Sequence, residues 1–265
     1  MFKIKDEASR AVLYIYGTIG EDFWDEEDSN RAKAFAKTLD ELNPKPLDIR
    51  IDSAGGDVYE GFAIASAIQR YEGDTHVYID GMAASAASYI ALMGDRITMN
   101  DYAVFMIHNA WTLAIGNRDD LRETADRLEG IDSTIAGIIA ARSGMELDDV
   151  KAAMCAETWF TGDEALANGM CDEVIETEQR IAASLDRSMA AHFLNIPSSV
   201  EITDELAEQM PIADSGNSPE ADAAAADAGA SHPLPTIGVI EAKDAEGAFL
   251  LGNRVYRKEN RNEDQ

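Results

Sequence analysis

The stretch LDIRIDSAGGDVYEG, residues 47–61, decides the fold. Its first five residues, Leu47–Ile51, are predicted as a strand, and the pair Gly55-Gly56 predicts a turn. A helix is predicted after the turn, over Phe62–Tyr71. A strand, a glycine turn and a helix in this order form the repeating pattern of an α/β domain.

The same alternation continues on both sides of this stretch. Further strands are predicted at Val12–Tyr16, His76–Ile79, Arg96–Met99 and Ala103–Ile107, and further helices at residues 25–42, 83–93, 118–141, 146–154 and 161–168. Because strands and helices keep alternating, the sequence predicts an α/β domain with a largely parallel sheet.

The composition limits the possible partners. The 265 residues include 22 basic and 50 acidic ones, a net charge of −28, so binding to nucleic acid or to an anionic membrane is not expected. No apolar run is long enough to span a bilayer, and residues 1–7 lack the apolar region of a signal peptide. The two cysteines fit neither a disulfide framework nor a metal site, and the acidic cluster Asp22–Asp28 lacks EF-hand spacing. We therefore expect a cytoplasmic protein without metal or other cofactor.

Composition also predicts three parts of the chain. Residues 1–180 form the α/β domain. Residues 181–235 are an acidic linker or scaffold-like segment rich in Ala, Ser and Pro, and partly disordered, because no Lys or Arg lies between Arg187 and Lys243. Residues 236–265 form a short C-terminal segment of unknown fold, in which a hairpin is one possibility.

Two residues are candidates for chemistry. His108 ends the apolar run Ala103–Ile107, and side chains at the carboxyl ends of parallel strands often form the site of an α/β sheet. Ser85 lies in a strand-to-helix turn of small residues, where backbone N–H groups favour a developing oxyanion. Taken singly, each has a structural alternative: a core histidine hydrogen-bonded to backbone, and a serine in a tightly packed helix.

Four segments in order resemble the proteolytic subunit family of Clp protease. They are Ile51-Asp-Ser-Ala-Gly-Gly56, Gly81-Met-Ala-Ala-Ser85, Met106-Ile-His108, and Phe160-Thr-Gly-Asp-Glu-Ala165 followed by Gly169 and Asp172. The resemblance covers about residues 11–176 and implies a ββα spiral domain of the Clp/crotonase type. Enoyl-CoA hydratases share this spiral, but the serine and the histidine at the family positions would then be coincidental.

The resemblance implies a serine peptidase mechanism without a cofactor. Ser85 is then the nucleophile and His108 the general base. Backbone N–H groups of Gly56 and Ala86 form the oxyanion hole. The edge Gly56–Val58, which includes Asp57, pairs with an extended polypeptide substrate.

The third catalytic residue departs from the family, whose orienting aspartate precedes the Phe160 segment. Register assigns that position to Thr158, and the nearest carboxylate is Glu157. Three possibilities stay open: Thr158 orients His108 through its hydroxyl, Glu157 does so, or the triad is incomplete. Strand alternation predicts that the two side chains point to opposite faces, which favours Thr158 at the site and Glu157 towards solvent or a neighbouring subunit.

The first predicted strand begins near residue 11, as in the shorter family members encoded by bacteriophages and prophages. This resemblance implies a protease for head maturation that cleaves capsid or scaffold protein in the host cytoplasm and assembles as one or two heptameric rings, with an ATPase partner doubtful. Two alternatives stay open: a cellular ATPase-assisted peptidase, and a non-catalytic ring-forming scaffold protein.

Overall fold

The computed structural model describes residues 3–6, 9–20, 31–42, 45–176, 183–203, 248–251 and 254–257. The strands are β1 (Lys3–Asp6), β2 (Ala11–Tyr16), β3 (Leu47–Ser53), β4 (Thr75–Ala84), β5 (Arg96–Asn100), β6 (Val104–Ile107), β7 (Thr158–Thr161), β8 (Glu173–Ile175), β9 (Ala183–Asp186), β10 (Val200–Thr203), β11 (Ala248–Leu251) and β12 (Arg254–Arg257). The helices are α1 (Ala32–Glu41), α2 (Val58–Gln69), α3 (Ala86–Ala91), α4 (Arg118–Ser143), α5 (Leu147–Cys155), α6 (Gly162–Ala167) and α7 (Arg187–Ala190).

The main sheet is largely parallel, as predicted. Strands β2, β3, β4, β5 and β8 pair in parallel in that order, and β1 adds an antiparallel edge. The prediction that the first strand begins near residue 11 is therefore wrong, because β1 begins at Lys3. Every second side chain of β2 and β3 is aliphatic and fully buried, since successive side chains of a strand point to opposite faces: Ala11, Leu13 and Ile15 in β2, and Leu47, Ile49 and Ile51 in β3. The core lies between this sheet and helices α1–α5.

Strand β4 is longer than predicted and changes its partner. Its first half pairs with β3 and β5, whereas Met82–Ala84 pairs in parallel with Val104–Met106 of β6. The helix predicted from residue 83 is therefore wrong at its start, because Ala83 and Ala84 still belong to the sheet and α3 begins at Ala86. Ser85 consequently lies at the junction between strand and helix.

The segment between residues 183 and 203 is folded, which corrects part of the predicted linker. Its strands β9 and β10 pair in parallel, and its apolar side chains pack against the face formed by β4 and β6. Leu185, Phe193 and Val200 are buried there beside Met82 and Met106. The predicted boundary at residue 180 is too early, since the compact unit extends from residue 1 to residue 211.

The remaining unit, residues 212–265, contains an antiparallel pair formed by β11 and β12, which agrees with the hairpin possibility. The rest of the predicted linker, residues 204–235, lies outside the described residues, as does the acidic cluster Asp22–Asp28. Within the described ranges, no helix is both long enough and apolar enough to cross a bilayer.

Candidate active site

Ser85 occupies a strained backbone position between β4 and α3. Its φ of 53° and ψ of −122° lie outside the regions that a residue with a side chain normally adopts. Such strain is characteristic of functional turns that hold one side chain in a fixed direction. The turn is fixed by bonds from the Ser85 N–H to Met106 O (3.1 Å) and from Ser88 Oγ to Ser85 O (2.6 Å).

His108 follows β6 directly and meets Ser85. Because Ala84 pairs with Met106, the residues just beyond these two strand ends come together, and His108 Nε2 lies 2.9 Å from Ser85 Oγ. Burial lowers the pKa of His108, and the negative charge of Glu157 partly opposes this effect. A neutral imidazole at this distance can accept the hydroxyl proton.

The turn at Gly55-Gly56 packs against the serine. A Cβ on Gly55 would lie 2.7 Å from Ser85 Cβ, and the φ of 97° also requires glycine. Gly56 forms a parallel bridge with Ile19, in which Gly55 O and Asp57 N–H bond to the Ile19 backbone. Successive N–H groups of an extended segment point in opposite directions. Because the Asp57 N–H points towards Ile19, the Gly56 N–H points away from Ile19.

The predicted substrate edge over Gly56–Val58 needs correction. The Asp57 N–H is bonded to Ile19 O at 2.8 Å, and the Asp57 carboxylate caps α2 by accepting from Tyr59 N and Glu60 N. Val58 is the first residue of that helix, and its carbonyl accepts from the Tyr89 hydroxyl. The stretch therefore turns into a helix after Gly56 and does not continue as an open strand edge. Ala86, the first residue of α3, keeps its predicted place directly after Ser85.

Glu157 is buried, so the prediction that it faces solvent is wrong. Its φ of 50° makes the backbone irregular just before β7, and strand alternation therefore does not relate it to Thr158. Only 7% of Glu157 is exposed. Thr158 is half-buried, and its hydroxyl donates to Ala153 O at 2.7 Å. Of the two candidates, Glu157 is the one whose charge acts on His108.

Sequence reasoning missed the residues that hold Glu157. Its carboxylate accepts from the backbone N–H groups of Leu194 and Asn195 and from the indole N–H of Trp159. Backbone donors leave no signature in residue types. The nearest available signal was Phe193, a single aromatic residue in a segment assigned to a linker.

No metal centre competes with this arrangement: across the described ranges, no group of three His, Cys, Asp or Glu side chains is placed to hold an ion. The model of the Clp protease family matches residues 19–178, which include Gly56, Ser85, His108 and Glu157. The chain belongs to the Clp protease family.

Curated relatives agree with this assignment. The ATP-dependent Clp protease proteolytic subunit of Bacteroides fragilis is 33% identical over 154 residues, which cover 57% of this chain and 74% of that protein. The protein of the same name from Porphyromonas gingivalis is 30% identical over 160 residues, covering 59% and 72%.

The fold agrees as well. The solved structure of a ClpP1 mutant from Listeria monocytogenes superimposes with a TM-score of 0.54 and 23% identity, over 63% of this chain and 92% of the other. The predicted Clp-type fold is confirmed. The family consists of serine peptidases that degrade polypeptides and assemble into rings.

Proposed function

We propose that this chain is a serine endopeptidase with Ser85 as nucleophile and His108 as general base. The observation that carries the proposal is the 2.9 Å distance between Ser85 Oγ and His108 Nε2 at a strained strand-to-helix turn. Ser85 Oγ attacks the peptide carbonyl while His108 Nε2 takes its proton, and this proton then passes to the leaving amine. Water next attacks the acyl-enzyme and gives its proton to His108, which returns it to Ser85.

The oxyanion is stabilised by two backbone donors in this proposal. They are the N–H groups of Ala86, directly after the nucleophile, and of Gly56, which points away from Ile19. We assign the role of the third triad residue to Glu157 rather than to Thr158, because the negative charge of Glu157 favours the imidazolium of His108 that forms during the reaction. Its carboxylate carries a full charge, whereas a threonine hydroxyl supplies only a dipole.

A fluorophosphonate probe with peptide mass mapping tests the assignment. We expect covalent labelling of Ser85 and complete loss of labelling in Ser85→Ala. Ser88→Ala tests the nearest other hydroxyl: because this hydroxyl bonds to Ser85 O and helps to fix the turn, we expect Ser85 still to be labelled, but more slowly. Labelling of another serine would refute the assignment. Absence of labelling in the folded wild-type chain would favour the non-catalytic ring-forming scaffold.

For the substrate, we propose processing of capsid or scaffold protein without an ATPase, in the cytoplasm of the host cell. The support is the acidic, Ala-rich composition of residues 214–235, which resembles the scaffold-like segments often fused to phage-type proteases. The test is incubation with an unfolded polypeptide and no nucleotide, for which we expect cleavage. No cleavage until an unfoldase and ATP are added would support the ATPase-assisted alternative, which the names of the curated relatives favour.

We further propose a ring of this chain, either one heptamer or two stacked heptamers. One support is family membership. The other is helix α4, in which residues 118–134 are largely exposed although Leu121 and Leu128 lie among them. Sedimentation at micromolar concentration tests this, and a monomer would reject it.

A further inference from the structure

Residues His192–Asn195, here called the strap, lie against the candidate active site although they fall beyond the family match, which ends at residue 178. The Phe193 ring is centred 5.6 Å from the His108 ring and 5.6 Å from the Trp159 ring, edge-on to the latter. His192 stacks on Trp111 at 4.3 Å, in the loop that follows His108. The strap therefore contacts His108 and Trp159 through Phe193, and the loop after His108 through His192.

The strap also supplies the donors that a buried carboxylate needs. The Leu194 N–H lies 2.7 Å and 2.9 Å from the two oxygens of Glu157, and the Asn195 N–H lies 2.7 Å from the first. The Asn195 side-chain amide donates to Ala156 O at 2.9 Å, which ties the strap to the residue before Glu157. Burying a carboxylate is costly unless it accepts hydrogen bonds, and these donors supply bonds to both oxygens of Glu157.

We infer that the strap is a positioning segment: its backbone N–H groups hold the Glu157 carboxylate while its Phe193 ring packs against His108, and peptidase turnover depends on this placement. The catalytic consequence rests on the proposed function, whereas the electrostatic effect on His108 does not. The strap acts through Glu157, since backbone donors cannot themselves take part in the proton transfer.

The surroundings of His108 make its titration a specific readout. Ser85 and Phe193 face the ring and are uncharged at neutral pH. Two further titratable groups lie close by: Asp132 of α4, which accepts from the Ala110 N–H, and His192 on Trp111. Both groups are kept in the variants below. Because burial lowers the pKa of His108, a displaced Phe193 would raise the midpoint, whereas loss of the Glu157 charge would lower it, so the direction of the change identifies its source.

The decisive pair of variants is Leu194→Pro and Leu194→Ala in the full chain. Proline removes the N–H that both Glu157 oxygens accept. Alanine keeps that N–H and trims a side chain that is 87% exposed. By NMR titration of the His108 ring, we expect the midpoint of Leu194→Pro to fall by about 0.5 pH or more, since a less firmly held Glu157 carboxylate opposes the effect of burial less strongly. The midpoint of Leu194→Ala should match wild type.

Turnover gives the second readout. We expect Leu194→Pro to lower kcat at least ten-fold with little change in KM, and Leu194→Ala to stay within two-fold. If the strap acts through Glu157, adding Leu194→Pro to Glu157→Gln lowers kcat by less than a further two-fold. Additive losses would overturn the inference, and a gain in activity for Leu194→Pro would show that the strap inhibits the site.

Trp159→Phe covers the case in which proline prevents folding. It removes the indole donor to Glu157 but keeps an aromatic ring against Phe193. We expect a smaller fall of the His108 midpoint in the same direction, and an unchanged midpoint would refute the role of the donors. An inactive wild-type chain would refute the proposed function alone, because the titration of His108 would still test the strap.

Discussion

Ser85 and His108 come from two neighbouring strands of one sheet, whereas Glu157 is held by residues 37 and 38 positions further along the chain. In the first region, strand pairing and a strained turn set the geometry. In the second, the backbone of a distant segment does so, and the only side chain of Leu194 and Asn195 that adds a bond is the Asn195 amide, to Ala156 O. The positions of Ser85 and His108 thus follow from local residue types, whereas the position of Glu157 depends on backbone groups that only the folded chain brings to it.

The largest effect is expected where the first region is most tightly packed. Gly55→Ala places a methyl group 2.7 Å from Ser85 Cβ and forces a φ of 97° on a residue with a side chain. We expect turnover to fall by more than about a hundred-fold, because small displacements of a nucleophile are that costly. Gly137→Ala in α4 is the control: its Cβ meets nothing within 4 Å, and turnover should stay within two-fold of wild type.

In the second region, Glu157→Gln keeps the shape of the side chain and removes its charge. We expect kcat to fall at least ten-fold, less than the roughly 10⁴-fold loss seen when an orienting carboxylate is replaced in a fully hydrogen-bonded triad. Thr158→Val should change kcat less than Glu157→Gln does, since that hydroxyl is bonded to Ala153 O. The reverse order in steady-state kinetics would restore Thr158 as the third residue.

The difference between the regions also explains what the sequence could predict. The segments around Gly56, Ser85 and His108 identified the family and the sheet, since small residues and strand ends mark them. Glu157 was misplaced because its left-handed backbone interrupts the alternation that was extrapolated across it. The strap could not be found, because hydrogen bonds to backbone N–H groups are not encoded by residue type, and because the absence of Lys and Arg between Arg187 and Lys243 is typical of a linker.

pH dependence provides a smaller effect. The pKa of His108 is lowered by burial from its ordinary value of 6.5, so the base remains neutral below that pH. We expect the acid limb of kcat to have its midpoint below pH 6.5. Stability follows the same sign: the unfolded chain binds the proton more readily, so the folded state loses stability as pH falls from about 6.5 through the lowered pKa. His108→Ala should remove this component in thermal melts across that range.

The smallest effect is expected from removing the second unit. A chain that ends at Pro211 keeps the sheet, the strap and the site, and should retain its melting midpoint and its turnover within two-fold. Limited proteolysis of the full chain should correspondingly leave a core of about 200 residues. Early cuts between residues 50 and 110 would contradict the domain assignment.

The most direct measurement is the rate of fluorophosphonate labelling at Ser85 in the wild-type chain and in His108→Ala. The account predicts a single label mapped to Ser85, formed at least about a hundred-fold more slowly without the histidine, because the base that lies 2.9 Å away is then missing. An equal rate in the two proteins, or a label on another serine, would contradict it.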